Sequence, residues 1–213
     1  MKPKQIENEY YEKLCEVFER YHSGAVEKCS ATMKETSYDS KGKIYVYDYD
    51  GYDMTILKLD DFSELLAEKR KNQGHKKRTL PAADAICIDS KNNWYLIEFK
   101  NSEFSKRTVG SVQEKIFNSL WILFYTYSVT GEISYIIKDI HNNDIIQFAR
   151  EHITYIVVCS EDKNTNIKNA IHMKEAMHIH YTPLALDPYI NFCFKDAYLY
   201  TKQELKKIIA SFE

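Results

Sequence analysis

The chain lacks any two cysteines close enough to form a metal or redox motif. The five cysteines lie at positions 15, 29, 87, 159 and 193, and the nearest two are fourteen residues apart. This spacing excludes a Cys-x-x-Cys site, and the odd number argues against a disulfide framework. We therefore expect five reduced thiols and a cytoplasmic location.

A strong net charge and a long apolar run are also missing. The formal net charge is -2, so contact with nucleic acid would have to come from a local basic patch. The most apolar stretch, residues 116–129, is short and contains Asn118 and Ser119, which favours a buried helix over a membrane span. The N-terminus has no apolar segment typical of a secretory signal. We expect no membrane association.

A glycine-rich phosphate loop and a zinc-protease pattern are both missing. The seven histidines include His172, His178 and His180, but no two have the i, i+4 spacing with a glutamate partner that zinc proteases use. The seventeen tyrosines suit β-strands, so they do not by themselves indicate base stacking. Neither residue type predicts a function here.

What is present is the composition of a single globular domain. The chain has 213 residues, of which 44% are hydrophobic and 28% charged, enough to bury a sizeable core. Hydrophobic periodicity and turn residues predict these elements: a helix over 3–22, a hairpin of strands 43–49 and 54–59, a capped helix over 61–72, strands 82–88 and 94–100, helices 106–128 and 143–151, a strand over 152–159, a helix over 166–178, an irregular segment 183–200, and a terminal helix with the capping box Thr201-Lys-Gln-Glu204. Residues 133–140 are ambiguous.

Two opposite charges end the central strand of the sequence CIDSKNNWYLIEFKN, residues 87–101. Side chains alternate between the faces of a strand, so Glu98 and Lys100 project from the same face. A hairpin symmetric about Lys91 places Ile86 opposite Leu96, Ile88 opposite Trp94, and Asp84 opposite Glu98. Opposed side chains lie about 5 Å apart at Cβ, and like charges there are destabilising. A compensating positive charge is therefore expected.

Lys100 could supply that charge, and so could a divalent cation held by Asp84 and Glu98. An all-oxygen ligand set suits Mg²⁺ or Mn²⁺ better than Zn²⁺. The alternative interpretation is a surface salt bridge at a sheet edge, which is common and contributes little energy. Two other Glu-x-Lys sequences occur in this chain, at 161–163 in a polar loop and at 204–206 at the start of a helix. Only Glu98-Phe99-Lys100 ends an apolar strand that follows a strand bearing an aspartate in register, which favours the metal site.

Asp84, the short hairpin and Glu98-Phe99-Lys100 resemble the motif of the PD-(D/E)xK nuclease superfamily. The resemblance implies an α/β, restriction-endonuclease-like core with a mixed central sheet flanked by helices, in the order αβββαβ. We expect one domain over 1–213, with the N-terminal helix at 3–22, the core at about 43–160 and a C-terminal extension at 161–213.

The resemblance also implies the roles of the site residues. Asp84 and Glu98, with the carbonyl of Phe99, would bind Mg²⁺ or Mn²⁺. Lys100 would orient or deprotonate the attacking water and stabilise the negative charge of the transition state. Many members add an acid from the first helix, for which Glu9, Glu12 and Glu16 are the candidates; a solvated helix face is the alternative interpretation of these glutamates.

Two features depart from the superfamily pattern. Pro81 lies three residues ahead of Asp84 instead of next to it. One branch carries Gln-x-x-x-Tyr on the following helix, whereas this chain has Gln113 followed by Phe117. Gln113 is still expected to help hold the substrate.

A basic run precedes the strand that carries Asp84. It follows Lys69-Arg70-Lys71 and consists of His75, Lys76, Lys77 and Arg78. We expect it to contact phosphates and to attract an anionic polymer. The alternative is a solvated helix end, where cations complement the helix dipole.

Together these features predict a metal-dependent nuclease that hydrolyses phosphodiester bonds, with DNA as the favoured substrate. The number of subunits is left open, with a homodimer as one option. The alternative is the same fold retained without catalysis, as a module that binds nucleic acid or a protein partner.

Overall fold

The computed structural model describes residues 8–49, 53–130, 144–183 and 185–212, and the side chains of these residues except 126–130. In these ranges the helices are α1 (Glu9–Tyr21), α2 (Ala25–Cys29), α3 (Met33–Thr36), α4 (Leu59–Asn72), α5 (Lys106–Thr130), α6 (Ile145–His152), α7 (Thr165–Ala176) and α8 (Lys202–Ala210). The strands are β1 (Ser30–Thr32), β2 (Tyr38–Asp39), β3 (Ile44–Tyr45), β4 (Thr55–Leu57), β5 (Ala85–Ile88), β6 (Trp94–Lys100), β7 (Ile153–Cys159) and β8 (Asp196–Tyr200).

A mixed six-stranded sheet forms the centre of the molecule, in the order β1-β4-β5-β6-β7-β8. Neighbouring strands run antiparallel from β1 to β6, whereas β6, β7 and β8 run parallel. Helix α5 lies in the connection from β6 to β7, because a parallel pair needs a long crossover. The α/β class and the mixed sheet flanked by helices are therefore confirmed.

Strand β7 lies deepest in the sheet. All seven of its residues are buried, as expected for a β-branched strand covered on both faces. Apolar residues of α5 pack into the same core on one face; they are Val112, Ile116, Leu120 and Leu123. This packing fixes the polar side of α5 against the ends of β5 and β6.

The register of the β5–β6 hairpin is confirmed. Ile86 pairs with Leu96, and Ile88 pairs with Trp94. The turn is held by Asp89, whose Oδ1 accepts hydrogen bonds from the backbone N–H groups of Lys91 at 2.8 Å and Asn93 at 2.9 Å. The alternation of the strands and this polar turn therefore place Asp84 and Glu98 side by side.

The predicted first hairpin is wrong. β3 pairs with β2 in a separate two-stranded sheet, and β4 pairs with β1, which comes from the polar stretch before residue 43. The difference in burial explains the outcome, since Ile56 is fully buried in the sheet whereas Ile44 is 42% exposed. The predicted turn at Asp50-Gly51 lies outside the described residues.

The helix predicted from a capping box at Asp61 begins instead at Leu59, where Lys58 is the N-cap and makes no side-chain cap. Asp61 forms an ion pair with Lys58. The earlier start places Asp60 in the first turn of α4, which matters for the site described below.

The sheet extends past both ends of the core predicted at 43–160. The segment 183–200, predicted as irregular, contains a short 3-10 helix (Asp187–Tyr189) and then β8, which pairs with β7. The capping box of Thr201 and Glu204 is confirmed at the start of α8. The first seven residues of the chain and the ambiguous segment 133–140 lie outside the described residues.

All five cysteines are free thiols. Among the described helices, none combines the length and apolar character that crossing a membrane requires.

Candidate metal and catalytic site

The three residues predicted from the motif lie together at the ends of β5 and β6. Asp84 immediately precedes β5, and its Oδ2 accepts a hydrogen bond of 2.7 Å from the backbone N–H of Phe99. Glu98 is only 1% exposed, and its Oε1 lies 2.6 Å from Nζ of Lys100. The hairpin register thus brings two carboxylates and one ammonium group to the same place.

A second lysine, which sequence reasoning missed, lies between the carboxylates. Nζ of Lys115 is 2.7 Å from Oδ1 of Asp84 and 2.9 Å from Oε2 of Glu98. It comes from α5 and is 13% exposed. The compensating charge that the hairpin requires is therefore supplied by Lys115 together with Lys100.

A third carboxylate, also missed, comes from α4. Oδ2 of Asp60 lies 3.2 Å from Nζ of Lys115, and its Oδ1 accepts a hydrogen bond from the backbone N–H of Ala82. Asp60 thus ties the start of α4 to the segment that leads into Asp84. We call Asp60, Asp84, Glu98, Lys100 and Lys115 the carboxylate–lysine cluster.

The glutamates of α1 do not join this cluster. Glu9, Glu12 and Glu16 are exposed; Glu9 pairs with Lys13 at 2.6 Å, and Glu16 pairs with Arg20 at 3.4 Å. The interpretation of α1 as having a solvated acidic face is confirmed.

Burial and charge shift the pKa values of the cluster. Burial, with the neighbouring charge of Asp84, raises the pKa of Glu98 from 4.5 to about 8, against the lowering effect of Lys115 and Lys100. Burial also raises the pKa of Asp60. Burial alone would lower the pKa of Lys115, but Asp84, Glu98 and Asp60 together raise it, so its ammonium group stays charged.

The cluster has an unbalanced charge when every member is ionised. Three carboxylates and two ammonium groups sum to one negative charge. Oε1 of Glu98 is fully buried and contacts Nζ of Lys100 at 2.6 Å. A buried carboxylate whose negative charge is not fully compensated favours binding of a proton or of a further cation.

The ligand chemistry of the cluster fits a hard divalent cation, but the position between the carboxylates is filled. Carboxylate oxygens are the donors that Mg²⁺ and Mn²⁺ prefer. These oxygens converge on Nζ of Lys115, and the described part of the chain contains no group of three or more His, Cys, Asp or Glu arranged to hold a metal ion. A metal ion would therefore bind here only in exchange for the ammonium group.

Helix α5 positions Asp84 as well as Lys115. Oγ of the fully buried Ser119 accepts a hydrogen bond of 2.8 Å from the backbone N–H of Ala83 and donates one of 2.6 Å to the carbonyl of Lys115. Nδ2 of Asn118 donates to the carbonyl of Pro81 at 2.8 Å. The sequence does carry a signal for this face, because Ser111, Lys115 and Ser119 follow each other at i, i+4 spacing and so share one polar face of the helix.

Gln113 lies away from the cluster. Two residues along a helix turn the side chain by about 200°, so Gln113 and Lys115 project from nearly opposite faces of α5. The side chain of Gln113 lies beside the hydroxyl of Tyr189. The ring of Phe117, which stands in place of the tyrosine of the superfamily branch, contacts Tyr189 edge-on at 5.7 Å between centroids. The contact between Gln113 and a substrate stays a prediction.

The basic run lies along α4. His75, Lys76, Lys77 and Arg78 are all exposed, and Lys77 pairs with Glu68 at 3.4 Å. Arg78 lies beside Ser63 and Arg70 of the same helix. The chain then continues along α4 to Ala82, whose N–H donates to Asp60 in the first turn of that helix.

Comparisons of the chain with protein-family models, with curated proteins and with solved structures found no match. The resemblance to PD-(D/E)xK nucleases therefore stays a prediction, carried by Asp84, Glu98 and Lys100 in their strand context.

Proposed function

We propose that this chain is a metal-dependent nuclease of the PD-(D/E)xK type, which hydrolyses phosphodiester bonds, with DNA as the favoured substrate. The supporting observation is that Asp84, immediately before β5, and Glu98, on the adjacent strand β6, share one cation position: their oxygens lie 2.7 and 2.9 Å from Nζ of Lys115. Lys100 lies beside them on the same strand as Glu98. Two adjacent carboxylates can hold a divalent cation, and an ammonium group beside them can stabilise negative charge that develops on a phosphate.

The protein residues would have distinct roles in this reaction. Asp84 and Glu98, with the carbonyl of Phe99, would hold Mg²⁺ or Mn²⁺, which when bound supplies an activated water and a Lewis acid. The hydrogen bond from the N–H of Phe99 keeps the Asp84 carboxylate in one orientation. The ion pair with Glu98 keeps the ammonium group of Lys100 near the reacting phosphate, where it would orient water and stabilise developing negative charge.

Substrate binding would depend on groups outside the cluster. The exposed basic run of His75, Lys76, Lys77 and Arg78 would contact phosphates through sequence-independent charge attraction. The chain as a whole has a net charge of -2, so this local patch would carry most of the attraction. Gln113, placed beside Tyr189, would contact substrate only if the bound polymer extends over that side of α5.

The proposal is tested by incubating the purified protein with Mg²⁺ or Mn²⁺ and labelled single- and double-stranded DNA and RNA. We expect cutting that a chelator abolishes, and a loss of about 10²-fold or more in rate for Asp84→Asn and Lys100→Ala. The exposed residues Asp162 and Lys174 provide matched controls, because Asp162→Asn and Lys174→Ala should cut at the wild-type rate. No cutting by the wild type, or undiminished cutting by both cluster variants, contradicts the proposal.

The second candidate function is a module of the same fold that binds nucleic acid or a protein partner without turnover. One observation favours it: Lys115 already neutralises the carboxylates that a metal ion would need. In the same assay this function predicts a salt-sensitive mobility shift with nucleic acid and no cutting with either metal ion.

A further inference from the structure

Lys115 has the environment of a bound cation. Its Nζ contacts one oxygen from each of three carboxylates, at 2.7 Å for Asp84, 2.9 Å for Glu98 and 3.2 Å for Asp60. Asp84 immediately precedes β5, Glu98 lies in β6, and Asp60 lies in the first turn of α4. A surface lysine in a simple ion pair would have one such partner, so this lysine is held as the central cation of a cluster.

The same three carboxylates are suitable ligands for a divalent metal ion. Charge-assisted N–H···O contacts are about 2.7–2.9 Å long, whereas Mg²⁺ binds oxygen at about 2.1 Å and Ca²⁺ at about 2.3–2.6 Å. For Mg²⁺, the oxygens would therefore need to move inward by about 0.6 Å for Asp84, about 0.8 Å for Glu98 and about 1.1 Å for Asp60. Two cations cannot share the one position, so Lys115 must leave when a metal ion arrives.

We propose that Lys115 is an internal counter-cation that competes with a divalent metal ion for Asp60, Asp84 and Glu98. Metal binding is then an exchange of one cation for another, and Lys115 sets how much metal ion the protein requires. Asp60 becomes the third carboxylate of the metal site, from α4 and not from α1. This inference rests on the metal site of the proposed function, but it does not require that the protein cut nucleic acid.

The surroundings of the cluster allow the exchange. The Asp60 side chain is 37% exposed, whereas Glu98 is 1% exposed, so the cluster opens to solvent beside Asp60. Lysine has four rotatable carbon–carbon bonds and can move its ammonium group without moving the helix. The main chain of α5 at Lys115 is held by Ser119, so the side chain can leave while the helix continues to position Asp84.

The first test measures metal binding without nucleic acid. The Mn²⁺ affinity of the full chain is determined by electron paramagnetic resonance or calorimetry for the wild type and for Lys115→Met, which keeps a flexible, unbranched side chain but removes its charge. We expect Lys115→Met to bind Mn²⁺ about tenfold more tightly, equivalent to about 1.4 kcal/mol. Lys106→Met, at an exposed position of the same helix, should bind as the wild type does.

The second test uses the wild type alone, so that it stands even if Lys115→Met does not fold. An amine-reactive acylating reagent is applied with and without Mn²⁺, and the modified lysines are identified by mass spectrometry. Metal binding should speed the acylation of Lys115 and leave that of the exposed Lys174 unchanged.

The outcomes separate this inference from the nuclease proposal. Tighter Mn²⁺ binding by Lys115→Met together with faster acylation of Lys115 in Mn²⁺ supports the exchange even if no substrate is cut; if Lys115→Met does not fold, the acylation result alone decides. Equal or weaker Mn²⁺ binding by a folded Lys115→Met overturns it, and so does Lys115 acylation that Mn²⁺ leaves unchanged. If the protein cuts nucleic acid but Mn²⁺ binding by Lys115→Met is not tighter, or Lys115 acylation does not change with Mn²⁺, the nuclease proposal is supported and the exchange is rejected.

Discussion

At the scale of single residues, Glu98 shows the unfavourable electrostatics of the cluster. Its carboxyl group is 1% exposed, yet it has Asp84 as a neighbour on the adjacent strand. Lys100 and Lys115 reduce this unfavourable charge but do not remove it, since the pKa of Glu98 still rises to about 8. When Glu98 is ionised, its charge is therefore incompletely compensated, and burial favours the protonated form.

This pKa predicts a pH-dependent stability. The pKa of Glu98 rises from 4.5 to about 8, so across that window the folded chain holds a proton that the unfolded chain releases. The free energy of unfolding should therefore decrease as the pH rises from about 4.5 to about 8, by up to about 1.4 kcal/mol per pH unit. Urea denaturation at a series of pH values, with a chelator present and at constant ionic strength, measures this free energy of unfolding. Glu98→Gln should lose this part of the slope; an identical slope in that variant would show that other groups cause it.

Ser119 provides a second prediction at this scale. Its buried hydroxyl is the acceptor for the backbone N–H of Ala83, so Ser119→Ala leaves that N–H without a partner. We expect a loss of about 1–3 kcal/mol in the free energy of unfolding, measured by urea denaturation. Ser111→Ala is the matched control, because Ser111 is exposed on the same helix and its contact with Lys100 is long, at 3.4 Å; it should change stability by less than about 0.5 kcal/mol. Equal losses in both variants would contradict the role of Ser119.

At the scale of elements, the sequence determines the β5–β6 hairpin almost completely. Apolar residues on both strands and a polar turn around Asp89 allow one register, and that register is the one observed, with Ile86 opposite Leu96. Local rules suffice here because both strands and their turn are contiguous in the sequence. Because the hairpin is local in sequence, the sequence alone predicts that Asp84, Glu98 and Lys100 lie together.

Elements whose partners are distant in the sequence were harder to predict. β1 has three residues, all half-buried, which is too short to show an alternating pattern, so its pairing with β4 left no local signal. Lys115 and Asp60 join the cluster through the packing of α5 and α4 against the sheet. Their positions depend on tertiary contacts between residues 55 positions apart, which propensity and periodicity do not report.

The capping box of α8 gives a prediction at the scale of an element. Oγ1 of the buried Thr201 accepts a hydrogen bond of 3.2 Å from the N–H of Gln203, and Glu204 accepts one of 2.9 Å from the N–H of Thr201. Thr201→Ala should lower the free energy of unfolding by about 1 kcal/mol. Thr201→Ser keeps the hydroxyl and should lose less. Thermal denaturation followed by circular dichroism measures both; a larger loss in the serine variant would contradict the cap.

At the scale of the whole molecule, the C-terminal segment completes the sheet. The sequence predicts an extension over 161–213, yet β8 pairs with β7 over five residues. Leu205 and Ile209 of α8 pack with Ile156 and Val158 of β7 in one buried cluster. The carboxylate–lysine cluster is anchored on β6, the neighbour of β7, so the support beneath the site depends on this distant part of the chain.

Removal of residues 161–213 should therefore unfold the domain. The truncation would uncover an edge of β7, whose seven residues are all buried, together with the face that α8 covers. We expect the truncated chain to lose its cooperative urea transition, whereas Leu199→Ala in the full chain should keep a cooperative transition and lose about 2–5 kcal/mol. Circular dichroism and fluorescence across a urea series distinguish the two. A truncated chain that still unfolds cooperatively would show that β8 and α8 are added to a self-sufficient core, and that the site does not need them.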